Sequence, residues 1–496
     1  MSFNSIPFIV FLPMVAGTYF LLPYQWRSYW LLLASCCFYM FFIPIYILIL
    51  FFLIVIDYVM AIAIESNYGR RRKACLIISI LSTCSILFIF KYFNFFNANF
   101  SNLALFLHWN FPVKDLSLIL PLGLSFHTFQ SLGYCIEVYR GKWKAEKNFG
   151  IYALYVMFFP QLVSGPIERA GNLLPQFYEK HDFEYKRVVD GLKLILWGLF
   201  QKVVIADRLS LLVNQVFSNL PAYQGLPLVI AVVFFAFQIY CDFSGYTDIA
   251  IGSAHILGFR LMRNFNQPYF ATSIADFWRR WHISLSTWFR DYVYIPLGGN
   301  RSGKKRWTLS IIITFLISGL WHGANWTFLI WGGLHGFYYL FSTWTKVIRE
   351  NIVQILKLNR WSFFYRPLQI MTTFILVCFA WIVFRCANLF DVGYIVTHLF
   401  TGWGRALDWD INSPSYLGVQ RPEFYGALVL IVLLLTLHAL EQYLDRDKGP
   451  HISMANTLSL LNEKPIAVRW VVYLSLALAV MDLGVIKNVP FIYFQF

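Results

Sequence analysis

The stretch that decides the fold is the junction of two apolar runs, Trp321-His322-Gly323-Ala324-Asn325-Trp326. Around it, residues 307–344 are almost wholly apolar or aromatic. At a helical rise of 1.5 Å per residue, the stretch before His322 spans roughly 22 Å, which is less than a bilayer core of roughly 30 Å. If Gly323 and Asn325 end the helix, two short helices meet at a turn inside the membrane, which is tolerated only where protein or a wet cavity encloses it. We therefore expect His322 to lie in the wall of a pore or tunnel.

The composition is that of a polytopic, all-α integral membrane protein. Of 496 residues, 58% are hydrophobic and 20% aromatic, whereas 13% are charged, against roughly 25% in soluble domains. We expect about eleven to fourteen helices that cross or enter the bilayer. The apolar runs occupy residues 7–23, 29–43, 44–64, 74–92, 117–136, 149–164, 188–205, 225–258, 308–321, 326–346, 366–385, 423–440 and 466–486.

The formal net charge of +15 is concentrated in short loops between apolar runs, at residues 70–73, 142–147 and 301–306. Such loops are typical of the cytoplasmic side, which predicts an N-terminus outside the cytoplasm. The first apolar run lacks Lys or Arg before it, so we expect a retained membrane helix and not a cleaved signal peptide. Because the basic residues form no single dense face, nucleic acid is not an expected partner.

The eight cysteines lie almost entirely within apolar runs and include no C-x-x-C pair. We therefore expect neither disulfides nor a metal site. A thiol nucleophile at Cys241, next to Asp242, is the less favoured alternative, because nothing in the sequence supplies a base or a cationic neighbour.

Residues 276–291, read as one amphipathic helix, place aromatic and apolar side chains on a stripe. His282 falls at the edge of this stripe, one turn from Trp278 and Ser286. Two interpretations stay open: an interfacial anchor with an amphipathic histidine, or an imidazole that faces a cavity. The stripe consists of Trp278, Trp281, Leu285, Trp288 and Phe289.

His322 is either a buried histidine that helps two helices turn or a functional group, because ionisable side chains inside a membrane are costly and seldom idle. Asn325 lies about one turn further on and could hold one of its ring nitrogens. His335 has no polar neighbours in sequence, which favours a packing role.

Two more polar islands interrupt apolar runs. Asp242 and Asp248 either line one cavity or pair with Arg260 or Arg263, and their separation places them on different helical faces, which favours structural pairing. Residues 159–169 contain a glycine and two prolines, which predicts a broken, re-entrant segment enclosed by protein.

Several motifs of this chain resemble the membrane-bound O-acyltransferase (MBOAT) family, in particular its bacterial branch typified by the membrane subunit of alginate O-acetylation. The resemblance covers nearly the whole chain and is most specific over residues 240–336. His127 departs from the pattern, where an aromatic residue is expected. The motifs are Leu120–Phe126, Phe159–Pro160 through Gly165–Pro166, Asp242–Tyr246, Phe277–Ser286, Arg290–Asp291 with Gly298–Arg301, and Leu320–Gly323.

This resemblance implies one MBOAT membrane domain over residues 1–496, with a core motif region at 117–346 and additional spans at 366–496. The implied fold is a ring of helices around a thin centre, crossed by a tunnel. His322 then corresponds to the family's invariant histidine, a general base, and His282 to its second histidine. Supporting, oxyanion or tunnel-lining roles fall to Asn325, Trp281, Arg279, Ser286 and Asp242.

The resemblance further implies acyl transfer from a cytoplasmic thioester, acetyl-CoA, with no tightly bound cofactor, in the bacterial inner membrane. The implied acceptor is an extracytoplasmic glycan, reached directly or through a periplasmic hydrolase-like partner. The basic residues Arg301, Lys304, Lys305 and Arg306 could attract the donor phosphates, or could act only as a topology signal. The alternatives are a teichoic acid D-alanyltransferase with a carrier-protein donor, a non-enzymatic transporter and a lipid acyltransferase. The aromatic C-terminus, residues 491–496, is expected at a membrane interface.

Overall fold

The computed structural model describes residues 1–357, 362–403, 420–444, 461, 464–485 and 491–492. Within these ranges the regular backbone is helical and contains no β-strand, so the predicted all-α class is confirmed. In chain order the helices are α1 Ile6–Leu21, α2 Tyr24–Met40, α3 Ile47–Ser66, α4 Gly69–Leu87, α5 Phe93–Phe106, α6 Leu124–Tyr139, α7 Phe149–Met157, α8 Phe159–Leu162, α9 Ala170–Leu173, α10 Tyr185–Leu199, α11 Asp207–Ser218, α12 Leu226–Leu257, α13 Ile274–Arg280, α14 Ile283–Phe289, α15 Lys304–His322, α16 Trp326–Trp344, α17 Lys346–Ile355, α18 Ser362–Arg385, α19 Leu389–His398, α20 Arg421–Leu444 and α21 Ile466–Leu478.

Short π-helical segments continue α4, α10, α14 and α21, at Phe88–Tyr92, Phe200–Ala206, Arg290–Tyr294 and Ala479–Leu483. The chain divides into two compact units. The first comprises Met1–Ile195 and Ile249–Met262, and the second comprises Leu196–Asp248 and Arg263–Phe496. The second unit contains α13 to α16, which hold both predicted functional histidines.

Six helical segments of the described ranges are long and apolar enough to cross a membrane, which makes this a multi-pass membrane protein. Five of them coincide closely with predicted apolar runs, because hydropathy depends only on local composition, whereas Gly69–Phe106 extends well beyond the run predicted at 74–92. They are Pro44–Ser66, Gly69–Phe106, Leu226–Leu257, Phe363–Arg385, Arg421–Tyr443 and Ile466–Leu483.

The apolar run predicted at residues 117–136 becomes helical only at Leu124. The residue before the helix, Gly123, has a φ of 77°, a conformation that glycine adopts without a steric penalty. A Cβ at this position would also lie 2.6 Å from the carbonyl oxygen of Leu162. The late start of α6 therefore reflects a tight approach between two backbone segments of the first unit.

The predicted break after His322 is confirmed, because α15 ends at His322 and α16 begins at Trp326. The two helices pack through glycines: a Cβ at position 319 would lie 2.2 Å from the Phe328 carbonyl oxygen, and one at position 332 would lie 2.3 Å from that of Phe315. Since α15 begins at Lys304, the helix before the break is about 28 Å long, longer than the sequence suggested.

The predicted broken segment at residues 159–169 is confirmed. After the single turn of α8, the backbone is irregular, and every residue from 159 to 168 is buried. At Gly165 a Cβ would lie 2.4 Å from the Cα of Gln161, so the chain folds back tightly on itself. Glu168 accepts hydrogen bonds from the Met262 backbone N–H and from Asn172 Nδ2, which satisfies its buried carboxylate.

The predicted interfacial position of the C-terminus is wrong for the two tail residues that the structure describes. Phe491 and Ile492 are buried. The ring of Phe491 stacks on that of Tyr246 with centroids 4.5 Å apart. The Ile492 N–H donates a 2.7 Å hydrogen bond to Asp242 Oδ2. Residues 493–496 lie outside the described residues.

Candidate active site

His322 is the last residue of α15 and lies at the turn between α15 and α16. The next position has no room for a side chain, because a Cβ at Gly323 would lie 2.1 Å from the ring of Phe328. The imidazole is only 5% exposed. Three aromatic rings pack against it, which restricts its orientation and limits access of water, with centroids at 4.8 Å (Trp321), 4.9 Å (Trp331) and 5.3 Å (Phe384).

The single amphipathic helix predicted over residues 276–291 is wrong, because the backbone breaks at His282. Its φ of 43° and ψ of 55° are left-handed, a conformation that costs a non-glycine residue roughly 1–2 kcal/mol. Asn264 holds the turn: its carbonyl oxygen accepts from the Ile283 N–H at 2.8 Å, and its Oδ1 accepts from Ser284 Oγ at 2.9 Å. Tertiary contacts therefore override the helical pattern here.

The same break places the His282 ring in the protein interior. The residue is 0% exposed, so it is not an interfacial anchor. Its ring centroid lies 4.7 Å from that of Phe243 and 6.2 Å from that of Trp321. Because Trp321 also contacts His322, the fold brings both predicted histidines to one indole ring.

Asn325 caps the second of the two helices. Its Oδ1 accepts from the Thr327 N–H at 3.1 Å, and its Nδ2 donates to the Ala387 carbonyl oxygen at 2.8 Å. The side chain thus starts α16 and ties the turn to the residues that follow α18. A role in holding the His322 ring, expected from sequence, remains a prediction beside this capping role.

The other predicted supporting residues separate into buried and exposed groups. Trp281 is 1% exposed and packs against Phe277 and Trp381, with ring centroids at 5.6 and 5.0 Å. The Arg279 side chain, in contrast, is 72% exposed and lies 3.7 Å from Asp276. Trp281 therefore builds the aromatic packing around the histidines, whereas Arg279 faces outward.

A cavity of about 420 Å³ lies between α13, α14 and α15 of the second unit. Two of the predicted site residues, Arg279 and Ser286, line it. So do Thr314 and Ser318 of α15, and Ser318 lies one helical turn before His322. The cavity therefore reaches to within one turn of the candidate base.

The basic segment at the start of α15 is exposed. Arg306 Nε donates to the Leu297 carbonyl oxygen at 2.8 Å. None of the ion pairs within the described ranges includes Arg301, Lys304 or Lys305. These cations are placed at the positive end of a helix dipole, where anions and not cations are favoured.

The sequence suggested that Asp242 pairs with Arg260 or Arg263. In the structure its partner is Lys202 instead. Lys202 Nζ lies 2.6 Å from Asp242 Oδ1 and 2.7 Å from Asp207 Oδ1, and all three side chains are at most 4% exposed. Sequence reasoning missed Lys202, although it is one of two lysines within the apolar run 188–205, and a lysine in such a run is the kind of signal that marks an intramembrane partner.

Asp248 has a different partner, Gln201, whose Nε2 donates at 2.7 Å. The two carboxylates thus serve separate contacts, as their predicted helical faces imply. His335 is 0% exposed and lies among aromatic rings, with Trp331 and Trp278 centroids at 4.9 and 5.0 Å, in agreement with a packing role.

In the first unit, His127 is buried, and its Nε2 lies 3.4 Å from Ser131 Oγ. The residue that departs from the family pattern therefore makes a polar contact between two turns of α6.

Among the described residues, no group of three or more His, Cys, Asp or Glu side chains could hold a metal ion. The cysteines are all unpaired thiols.

Together, the helical membrane fold and the buried histidine at a helix break define an intramembrane protein with a candidate catalytic centre. The family model of the membrane-bound O-acyltransferase family matches residues 147–383. The chain is 34% identical to a probable alginate O-acetylase of Azotobacter vinelandii over the full length of both proteins. It is 35% identical to the peptidoglycan O-acetyltransferase of Helicobacter pylori, over 78% of this chain and 77% of that protein.

A third relative is a teichoic acid D-alanyltransferase of Bacillus subtilis, 30% identical over 54% of this chain and 69% of that protein. The chain belongs to the membrane-bound O-acyltransferase family, and it is an O-acyltransferase. The matched region includes α13 to α16 and hence both histidines, the cavity and the helix break.

Proposed function

We propose that this enzyme moves acetyl groups from a cytoplasmic thioester, acetyl-CoA, to an extracytoplasmic polysaccharide. The observation that carries the proposal is the position of His322: a buried imidazole at a helix break, one turn beyond a cavity that opens beside exposed arginines. Two relatives named for the O-acetylation of alginate and of peptidoglycan support acetyl as the group and a polysaccharide as the acceptor.

In this proposal His322 acts as general base. A ring nitrogen accepts the proton of an acceptor hydroxyl, whose oxygen forms a bond to the thioester carbonyl carbon. The C–S bond then breaks, and the thiolate leaves and takes up a proton. Since a thioester is already activated, proton removal by a positioned histidine supplies a rate factor of roughly 10²–10⁴.

In this proposal His282 supports the base, since both imidazoles lie near Trp321, with ring centroids 6.2 Å (His282) and 4.8 Å (His322) from that of the indole. Because its backbone is held by Asn264 and its ring by Phe243, the imidazole can orient His322 or stabilise the oxyanion without moving. Asn325 contributes by holding the α15–α16 turn, which keeps His322 at the end of its helix.

The donor phosphates are proposed to meet the basic segment Arg301, Lys304, Lys305 and Arg306. Cations at the positive end of a helix dipole are unfavourable on their own, so their placement calls for anions nearby or for a topological role. The first explanation fits a donor that carries phosphates.

The basic loops at residues 70–73, 142–147 and 301–306 support a topology in the bacterial inner membrane with the N-terminus outside the cytoplasm. In that orientation the acceptor side faces the periplasm, where a hydrolase-like partner could receive the acetyl group or pass it to the glycan.

The test is thioester cleavage and acetyl transfer by the purified full-length protein in detergent, where no transmembrane gradient exists. His322→Ala is expected to lower turnover at least 100-fold, because the base is lost. His398→Gln, a half-buried histidine on α19 that hydrogen-bonds within its own helix, is the matched control and should retain activity.

Full turnover by His322→Ala would refute the catalytic assignment. Transport without chemistry, the alternative of another class, predicts no thioester cleavage by the wild type in detergent. The third relative favours D-alanyl transfer as a second candidate function, and D-alanyl carrier protein offered in place of acetyl-CoA separates the two donors. Preference for a long-chain acyl-CoA would instead indicate a lipid acyltransferase.

A further inference from the structure

Helix α15 carries hydroxyl side chains at every fourth position before its terminal histidine: Ser310, Thr314, Ser318 and then His322. Two residues four positions apart in a helix are separated by about 6 Å along its axis and are rotated about that axis by about 40° beyond a full turn. The four positions therefore form a stripe that winds slowly around α15. We refer to Ser310, Thr314 and Ser318 as the hydroxyl stripe.

The winding divides the stripe into two parts. Thr314 and Ser318 line the 420 Å³ cavity between α13, α14 and α15. Ser310 lies outside this lining; it is buried, and its Oγ donates to the Arg306 carbonyl oxygen at 2.8 Å. Only the two members of the hydroxyl stripe closer to His322 can therefore meet a ligand in the cavity.

Three serine and threonine hydroxyls of the cavity wall are arranged as acceptors, and the Ser318 hydroxyl, which can donate or accept, lines the same cavity. Thr314 Oγ1 donates its proton to the Ser310 carbonyl oxygen at 2.6 Å, a back-bond typical of helical Ser and Thr. On the opposite wall, Ser286 Oγ donates to the Trp281 carbonyl oxygen and Thr287 Oγ1 to that of Ile283. With their protons used, these oxygens offer lone pairs to the cavity, which suits a ligand that brings N–H donors.

The spacing fits one such ligand. The pantetheine arm of a thioester donor carries two amide N–H groups four bonds apart, about 5 Å when extended at ordinary bond lengths. The thioester carbonyl carbon lies a further four bonds from the nearer amide. The spacing between the two amides is close to the 6 Å rise between successive positions of the hydroxyl stripe. The volume of the cavity also falls within the range of small-molecule sites, about 300–1,000 Å³.

We propose that Thr314 and Ser318 determine specificity for the pantetheine arm by accepting hydrogen bonds from its two amides. Ser318 meets the amide nearer the sulfur, and Thr314 meets the next one. The thioester carbonyl then lies four residues further along α15, beside His322. Arg279 and Arg290, at the exposed part of the lining, lie toward the phosphate end of the donor. This inference rests on the proposed thioester donor.

The test compares two truncated donors with the full-length protein. The reaction is transfer of the acetyl group to water, and it is measured by the free thiol that is released. S-acetylpantetheine contains both amides, and S-acetyl-N-acetylcysteamine contains only the amide near the sulfur. Thr314→Val, which removes the hydroxyl at nearly constant shape, is expected to lower kcat/KM about 2- to 12-fold for S-acetylpantetheine, the range of one neutral hydrogen bond. It should leave kcat/KM for the shorter donor unchanged.

Ser318→Ala should lower kcat/KM for both donors by a similar factor. Thr314→Ser should restore the wild-type preference, and Ser310→Ala, the control from the buried part of the stripe, should change neither donor. If Thr314→Val lowered kcat/KM equally for both donors, or lowered neither, the inference would be overturned. Thioester cleavage by the wild type would still uphold the proposed function in that case. A wild-type protein that cleaved neither thioester would overturn both.

Discussion

Lys202 provides a stringent test of how charge is arranged inside the second unit. Its ammonium contacts two carboxylates, Asp207 and Asp242, and all three groups are buried. At an effective dielectric constant of 20, each contact is worth about 6 kcal/mol of attraction. Because both oxygens touch the same nitrogen, they are at most about 5.3 Å apart, and they repel each other by at least about 3 kcal/mol.

The arithmetic predicts unequal effects of removing the two kinds of charge. Lys202→Met loses both attractions and leaves the repulsion, so we expect a loss of about 3–5 kcal/mol in unfolding free energy, the range for breaking a buried pair. Asp207→Asn loses one attraction but also removes the repulsion and the cost of burying a carboxylate. The net change for Asp207→Asn is expected within about 1 kcal/mol.

The assay is thermal unfolding of the purified protein in detergent, followed by reaction of buried thiols with a fluorogenic maleimide. Cys241, adjacent to Asp242, is fully buried and reports opening at this place. At roughly 2 °C per kcal/mol for a unit of this size, Lys202→Met should lower Tm by about 6–10 °C and Asp207→Asn by about 2 °C or less. Equal decreases for the two variants would refute the charge assignment.

Three further perturbations test the helix break and the turn at the second histidine. Gly319→Val should separate α15 from α16, since its Cβ would lie 2.2 Å from the Phe328 carbonyl oxygen. It should lower Tm far more than Gly333→Val, whose Cβ has its nearest neighbour at 3.6 Å; similar Tm values would contradict the close approach. His282→Gly keeps the left-handed turn but removes a fully buried ring, so Tm should fall through the cavity that is left and acetyl transfer should fall at least 10-fold; retained transfer would show that only the backbone matters. Asn325→Ala should lower the unfolding free energy by about 1 kcal/mol through loss of the helix cap, measured as a Tm shift, and an unchanged Tm would argue against capping.

Much of the architecture was predictable because it depends on local properties of the chain. The membrane helices follow from apolar runs of bilayer length. The break after His322 follows from Gly323 and Asn325, a residue with low helix propensity and a residue that favours helix caps. His322 itself was recognisable as an ionisable side chain in an apolar stretch, and its family motif then indicated a role.

Other features were beyond local reasoning. The pattern of residues 276–291 is helical in itself, yet Asn264 captures the backbone at His282 and splits the helix. The partner of Asp242 was expected among nearby arginines, but the fold supplies Lys202 from forty residues earlier. The cavity, and the exposure of Thr314 and Ser318 to it, could likewise not be predicted, because they depend on the packing of α13 and α14 against α15.

The sequence by itself thus determined an all-helical membrane enzyme with a histidine at a helix break, because hydropathy, helix termination and family motifs are written in contiguous residues. Only the tertiary structure decided which groups meet: His282 and His322 at Trp321, Lys202 between two aspartates, and the tail on Tyr246. Inside a membrane, buried polar and charged groups are stable only when satisfied by partners, and those partners come from parts of the chain whose separation carries no local signal.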